Sequence, residues 1–499
     1  MPKRELPLKS LWDEEILGGY LKPLHYVKMY NWLIHSTESK GLETPLEDIP
    51  WDRFFSMGLG IKGAAIARDL SMCTTKVVER LDSSRGDSTK LLIELQDGHR
   101  IETVVMRHPN HSTVCVSSQI GCKMGCRFCA TGTMGIIGDL TSGEIIEQFM
   151  HASKVAKIRN VVFMGMGEPL NNFENVKRSV LFLSDNKRFG LSPRQITVST
   201  VGVLHNMRRL SDELPLVNMA LSLHAPSQSV RIKIVPAARA HHIDKLLEAI
   251  DYHISRDKKL ARLLESGNRR TSNSNSNSSH GSSSGKRSAE APSAPGDDDD
   301  ADIQSSASEP TYGYGPGGPR RNMHISGVMI EYILIKDIND REEHAHELGR
   351  LLGPRTAFVL LNLIPYNPTS VAEDYEPPTD EAVRRFYDIC TAAPYLLHTR
   401  VRGEKGQDIE AACGQLALVK PGEGRSRAVS IDVEDLGTNG RKIESAAAAN
   451  RPRGSKVKSA AGAGRHSTEG DNTSSTKWMS MGLWLGLPAL AVALSLRRR

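Results

Sequence analysis

At 499 residues, 39% hydrophobic and 24% charged, the chain is long enough to bury a large core and to hold more than one domain. Its net charge of +6 suits a polyanionic partner such as RNA without requiring one, because part of the excess lies in a basic C-terminal region that reads as unstructured. The N-terminus has no apolar h-region and carries acids early, which argues against a secretory signal or an organellar transit peptide and for the cytoplasm, with an organelle as the alternative location. In a reducing compartment, seven cysteines of which four fall in one short stretch (Cys115, Cys122, Cys126 and Cys129) suggest metal or redox chemistry ahead of structural disulfides.

Residues 1–72 read as a helical accessory domain, with apolar positions at helical spacing through Leu11, Ile16 and Leu17 and again through Tyr26, Val27, Tyr30, Leu33 and Ile34. A small β linker unit over 73–110 follows: TKVVERLDSS, STKLLIELQDG and HRIETVVM, with a Gln-Asp-Gly turn between the last two. From residue 111 the pattern becomes strand–helix alternation. The strand-like runs are VCVSSQIG, NVVFMGMG, QITVSTVG, VNMALSLHA, HISGVMIEYILI and TAFVLLNLIP, with helical stretches such as SGEIIEQFMHASKVA and ENVKRSVLFLSD between them. Such alternation predicts an α/β fold with a parallel sheet, open or curled into a barrel, split into segments 111–265 and 322–420. Residues 266–321 are Ser, Asn, Gly, Pro and an Asp run and read as a disordered insertion, neutral or regulatory through its serines. Residues 421–476 read as a second flexible, basic linker. Within 477–499, Trp478 to Leu496 carry no charge, and as a helix would span roughly 28 Å. That run reads either as a C-terminal membrane anchor or as a buried terminal helix, and Pro488 weakens a helix in both readings.

The strongest chemical signal is Cys122-Lys-Met-Gly-Cys126-Arg-Phe-Cys129, a C-x3-C-x2-C expected on a loop after the first barrel strand. Three thiolates hold three irons of a [4Fe–4S] cube and leave the fourth iron open to a small molecule, the arrangement of radical SAM enzymes. A zinc site completed by Cys115 or His111 is the alternative, although zinc ligands usually come as C-x2-C pairs. The next strand ends in Phe163-Met-Gly-Met-Gly167-Glu168-Pro169, where glycines permit close approach of a ligand and Glu168 can accept from an ammonium group. Ser199 in TVSTVG and Ser222-Leu223-His224 fall at the ends of the two strands after it, so a series of polar residues from successive strand ends points to one ligand site.

These segments, IETVVMRH, CVSSQIGCKMGCRFCATGTMG, GMGEPLNN, ITVSTVGV, ALSLHAP, EYILIKDIND, LIPYNP and RGEKGQDIEAACGQL, resemble the RlmN family of adenine-C2 methyltransferases of rRNA and tRNA, in particular its plant-type eukaryotic members. The resemblance runs from the N-terminal helices to about residue 418. It implies a partial (β/α)6 radical SAM barrel with an N-terminal helical domain. It implies Cys122, Cys126 and Cys129 as cluster ligands, with S-adenosylmethionine (SAM) in contact with Gly167, Glu168, Ser199, Ser222, Leu223, His224 and Asn367. Cys413 resembles the cysteine that is itself methylated, Cys115 its resolving partner and Glu102 the proton acceptor.

The implied route begins when one SAM methylates Cys413; a radical made from a second SAM then takes hydrogen from that methyl group. The resulting carbon radical adds to C2 of adenine, a base removes the C2 proton, and Cys115 attacks the Cys413 sulfur to free the product. The resemblance also implies rRNA and tRNA as partners and an electron donor of flavodoxin or ferredoxin type. Lysines and arginines are dispersed, and no RNA-binding module is visible. The rival readings are methylation at C8, as in Cfr-type enzymes, and an inactive Fe–S or zinc RNA-binding protein or membrane-tethered scaffold. Cys73 and Cys390 read as small buried apolar residues.

Overall fold

The computed structural model describes residue 4 and residues 6–35, 66, 68–257, 328–369, 371, 374–403 and 405–416. All of them belong to the first of two units of the chain, Met1–Val433. The segments 266–321, 421–476 and 477–499, with whatever anchor the last contains, lie outside the described residues. Among those described, no helix is long and apolar enough to cross a membrane.

The N-terminal segment is mixed, where the sequence predicts helices throughout. Lys9–Ser10 (β1) pairs in parallel with Leu70–Ser71 (β2), and Glu14–Leu17 (α1) and Pro23–His35 (α2) fall between them in sequence. Strands of two residues are too short for any alternation to be read. Asp13 caps α1 by accepting from the Glu15 amide at 3.1 Å, and Pro23 opens α2, where a missing N–H costs nothing.

The predicted β unit forms as Lys76–Asp82 (β3), Ser88–Glu94 (β4) and Arg100–His108 (β5), an antiparallel meander whose second turn uses Gly98 at φ 80°. Its last strand pairs antiparallel with His111–Cys115 (β6), so the unit is the antiparallel end of the main sheet. The run VCVSSQIG does not stay one strand. Ser117 donates its amide to Gln148 and Ser118 to the Met166 carbonyl, which takes the chain out of the sheet after Cys115. The chain then forms Gln119–Cys122 (β7), which pairs with Gly135–Asp139 (β8) around the short helix Ala130–Thr133 (α3).

Strand–helix alternation follows as predicted. The elements are Ser142–Ser153 (α4), Ile158–Phe163 (β9), Phe173–Ser184 (α5), Ile196–Thr200 (β10), Leu204–Glu213 (α6), Asn218–Ser222 (β11), Gln228–Ile234 (α7) and Ile243–Arg256 (α8). After the gap come Val328–Leu334 (β12), Glu342–Leu352 (α9), Val359–Pro365 (β13), Asp380–Thr391 (α10) and Thr399–Val401 (β14). The ten-stranded order is β14-β13-β12-β11-β10-β9-β6-β5-β4-β3, parallel from β14 to β6. Six strands were expected in the parallel part; β14 adds a seventh, too short to be legible. Thr113 of β6 and Arg400 of β14 line one cavity although five strands separate them, so the sheet curls as a partial barrel does.

Helix α4 shows how the layers are joined. Thr141 and Glu144 form a reciprocal capping box at its start. Ile145 and Phe149 face the core of the barrel, while Ile146 and Met150 face a second core built on Trp12, Met29, Tyr30, Leu33 and Phe182. Both sides of this helix are therefore apolar. In the second core Trp12 stacks on Tyr30 at 5.6 Å and donates its indole N–H to the Met72 carbonyl at 2.6 Å, so the aromatic bulk is buried with its polar group satisfied.

Candidate active site

Strand alternation decides which side chains reach the interior of the curled sheet. Across β6, β9, β10 and β11 the register aligns Cys115 with Val162, Val162 with Thr197, and Thr197 with Asn218. Nearer the carboxyl ends of the strands, Ser222, Glu331, Asn362 and Arg400 form a polar row across β11 to β14. Such a row inside a sheet is costly unless its members bond one another or a ligand.

Cys122 ends β7, and Cys126 and Cys129 follow on the loop that leads into α3. All three line one cavity of about 150 Å³ with Phe128, Gly167, Glu168, Ser199, Ser222 and His224. Gly167 sits at φ 98°, and a Cβ there would stand 2.5 Å from that of Gln119, so only glycine brings the backbone this close to the loop. Glu168 caps the 3-10 turn that starts at Pro169 and accepts from the amides of Leu170 at 3.1 Å and Val201 at 2.9 Å. Burial pushes its carboxyl up to about 7 against those bonds. The Ser199 and Ser222 hydroxyls are 3.3 Å apart. His224, at φ 59°, accepts the Ile333 amide at Nδ1 and packs edge-on against Phe128 at 4.8 Å; burial lowers its pKa to about 3, so the ring is neutral. Leu223 does not line the cavity: its side chain is in the core and its carbonyl accepts from Arg231. Asn367 accepts from Gln407 at 2.7 Å and lines a neighbouring cavity instead.

The donor set fits an iron–sulfur cluster bearing SAM. Three thiols from one loop share a cavity with a carboxylate and two hydroxyls suited to an amino acid and a sugar. Arg231, fully buried on α7, donates to the carbonyls of Leu223, Ser222 and Val201, and its Nη1 has no partner among the described residues. Its charge acts on Cys126, where a thiolate-held cluster would place negative charge. Among the described residues no group of His, Cys, Asp or Glu is gathered as the ligands of a single ion.

Cys413 arrives from the opposite end of the chain, on the segment after β14. Its neighbour Gly414 accepts from the Ala130 amide at 2.8 Å, and Thr131 donates to the Leu416 carbonyl at 2.5 Å, which seats the segment against α3. Cys413 lines the cluster cavity, a pocket of about 50 Å³ shared with Cys115, and an open cavity of about 530 Å³. The open cavity is rimmed by His108, His111, Arg194, Arg400, Arg402 and Lys405, a cationic lining that suits a nucleotide strand. Burial, with Cys413 adding, pushes the Cys115 thiol up to about 12, so it rests protonated, although the resolving role asks for a thiolate. Arg402 opposes that shift. It hydrogen-bonds Cys413, acts on Cys115 and lines all three cavities.

Glu102 lies apart from these walls. It is 2% exposed and ion-paired with Lys90 at 3.1 Å, two residues along β5 from Val104, which lines the Cys115 pocket. Sequence reasoning passed over Arg402, Arg231 and Glu331. The available signals were a charge inside the apolar run VRIKI, an acid inside EYILI, and an arginine in the same quoted segment as Cys413.

Comparison with known proteins agrees with this geometry. The Radical SAM superfamily matches residues 116–259. The dual-specificity RNA methyltransferase RlmN 1 of Myxococcus xanthus is 37% identical, over 67% of this chain and 74% of its own length. The ribosomal RNA large subunit methyltransferase N of Nitrosopumilus maritimus is 34% identical, over 69% and 79% respectively. The crystal structure of a radical SAM methyltransferase from Sphaerobacter thermophilus superposes with a TM-score of 0.60 at 30% identity, covering 82% of this chain and 99% of that one. The chain belongs to the RlmN family of radical SAM RNA methyltransferases.

Proposed function

We propose that the enzyme methylates carbon 2 of an adenine in rRNA and tRNA through a methyl group carried on Cys413. One observation carries this reading: Cys413 is a wall of the cluster cavity, of the Cys115 pocket and of the basic open cavity at once. A residue so placed can receive a group on one side and deliver it on the other.

A cluster held by Cys122, Cys126 and Cys129, together with SAM, supplies an electrophilic methyl group and a radical that abstracts hydrogen; the electron comes from a flavodoxin- or ferredoxin-type donor. Glu168 holds the ammonium of the methionyl moiety, Ser199 and Ser222 present hydroxyls, and His224 offers a neutral ring. Gly167 lets the backbone approach, and Asn367 orients the segment around Gln407. The Cys413 sulfur takes the methyl group and carries its carbon to C2, which joins enzyme and RNA through an S–CH2–C2 bridge. Glu102, paired with Lys90 behind the cavity wall, is the proposed final acceptor of the C2 proton, which reaches it through an intervening group. Cys115, deprotonated beside Arg402, then attacks the Cys413 sulfur. The S–C electron pair leaves with the carbon, which takes up a proton to become the methyl product; the one electron left over from the radical addition would pass back to the donor that supplied it, and a Cys115–Cys413 disulfide remains. The cationic rim holds the phosphates of an unstacked target nucleotide.

The test is mass spectrometry of nucleosides from rRNA and tRNA treated with anaerobically reconstituted protein, SAM and a reductant. A 2-methyladenosine peak that vanishes with Cys122→Ala is expected. An 8-methyladenosine peak would move the reaction to the other carbon, and no methylated adenosine despite SAM cleavage would overturn the substrate assignment.

A further inference from the structure

Glu331 is 4% exposed in the middle of β12, and its two carboxylate oxygens have different fates. Oε2 accepts from the Asn362 amide nitrogen at 2.7 Å, and the Asn362 carbonyl oxygen in turn accepts from Arg400 Nε at 2.8 Å. This chain of bonds follows the cross-strand register Glu331–Asn362–Arg400, so three strands fix both the position and the polarity of the carboxylate. Oε1 is buried and has no hydrogen-bond partner among the described residues. A buried acceptor left bare beside a fixed one bears the desolvation cost of that group, more so when it is charged, and calls for a partner such as a ligand can supply.

Glu331 is part of the wall of the site. Glu331 and Cys413 line the same two cavities, the cluster cavity and the basic one, and both interact with the charge of Arg402. The supports behind Glu331 belong to the RNA side, since Arg400 lines the basic cavity and not the other. A donor carried by whatever enters the basic cavity and comes close to Cys413 would complete the bare Oε1.

We infer that Glu331 is the residue that recognises the target base, its Oε1 accepting a hydrogen bond from the exocyclic N6 amine of adenine. This rests on the RNA-methyltransferase reading above. Adenine presents N6–H, N1 and C2 in succession along one edge, whereas C8 lies on the other ring. A base held by N6 on Glu331 turns that edge, and C2 with it, toward Cys413. The same contact excludes guanine, which offers a carbonyl oxygen where adenine offers the amine.

The polarity of the network makes the test sharp. In Glu331→Gln the Asn362 donor keeps the amide oxygen on its own side, so the new side chain turns an N–H2 donor toward the base and cannot accept from N6. Large-subunit rRNA transcribed with purine riboside triphosphate sparsely replacing ATP carries both bases, and purine riboside lacks the amine. The ratio of methylated adenosine to methylated purine riboside, corrected for input, is an internal competition in which a partial loss of folded enzyme cancels.

Wild type is expected to favour adenosine by about 10- to 100-fold, Glu331→Gln to bring the ratio near one, and Asn362→Ala, which frees the carboxylate to rotate, to fall between them. Equilibrium binding of the same two RNAs to cluster-free protein should show the same ordering. A Glu331→Gln ratio equal to that of wild type overturns the assignment. So does an unchanged ratio with weakened SAM binding, which would make Glu331 a cofactor contact. Wild-type protein that methylates neither nucleoside overturns the methyltransferase reading itself.

Discussion

Two buried carboxylates mark two regions of this molecule, the seam between the N-terminal segment and α4, and the centre of the curled sheet. Glu147 on α4 is fully buried and accepts from Ser10 Oγ at 2.8 Å, the Thr74 amide at 2.9 Å, Thr74 Oγ1 at 3.1 Å and Thr75 Oγ1 at 2.7 Å. Glu331 is nearly as buried, yet one of its oxygens is bare. Burial alone does not distinguish a strut from a working group, but satisfaction does. A saturated carboxylate fastens two layers of the protein, whereas a half-saturated one leaves a vacancy that a substrate can fill.

Variants at the centre should remove function and variants at the seam should remove stability. The largest expected effect is Cys413→Ala: methylated RNA falls by about a thousandfold or more, while the protein still binds iron and sulfide. An enzyme that kept methylating would erase the distinction between the regions. Next, Cys115→Ala should strand the reaction, so that enzyme and RNA stay covalently joined in a denaturing gel; full turnover without adduct would contradict its role. At the seam, Glu147→Ala should lower unfolding free energy by about 2–4 kcal/mol by orphaning the Thr74 amide and three hydroxyls. Denaturant melts would show this, and a loss under 1 kcal/mol would mean the layers are held by apolar contact alone.

The smallest effect concerns His151, which meets Thr75 Oγ1 at 3.0 Å and whose pKa burial lowers to about 4. The unfolded chain binds a proton there near pH 6.5, before the folded one does. The histidine therefore costs stability as pH falls from about 6.5 to 4, by roughly 1–3 kcal/mol. His151→Gln should flatten that acid limb in melts at stepped pH; an unchanged slope would show that the ring is already solvated.

The alternation was legible wherever elements were long enough to show a period: SGEIIEQFMHASKVA and ENVKRSVLFLSD form helices where the pattern places them. The three-residue β14 and the two-residue β1 and β2 were not, because so few side chains have no period. In the site, the grouping of Cys122, Cys126 and Cys129 was legible since thiols on one short loop must be near one another. Glu331 and Arg402 were illegible for the opposite reason. Each becomes meaningful only through partners on other strands, and nothing local in EYILI or VRGEK announces Asn362 or Cys413.

The hydrogen bond from Thr131 to Leu416 joins groups 285 residues apart in sequence. On a ribosome adding about 5–20 residues per second, that separation is roughly 15–60 s of synthesis. For that interval a nascent chain carries Cys122, Cys126 and Cys129, the proposed cluster ligands, and lacks Cys413, the proposed methyl carrier. The contact that seats the Cys413 segment against α3 therefore closes only after the whole of the curled sheet has been synthesised.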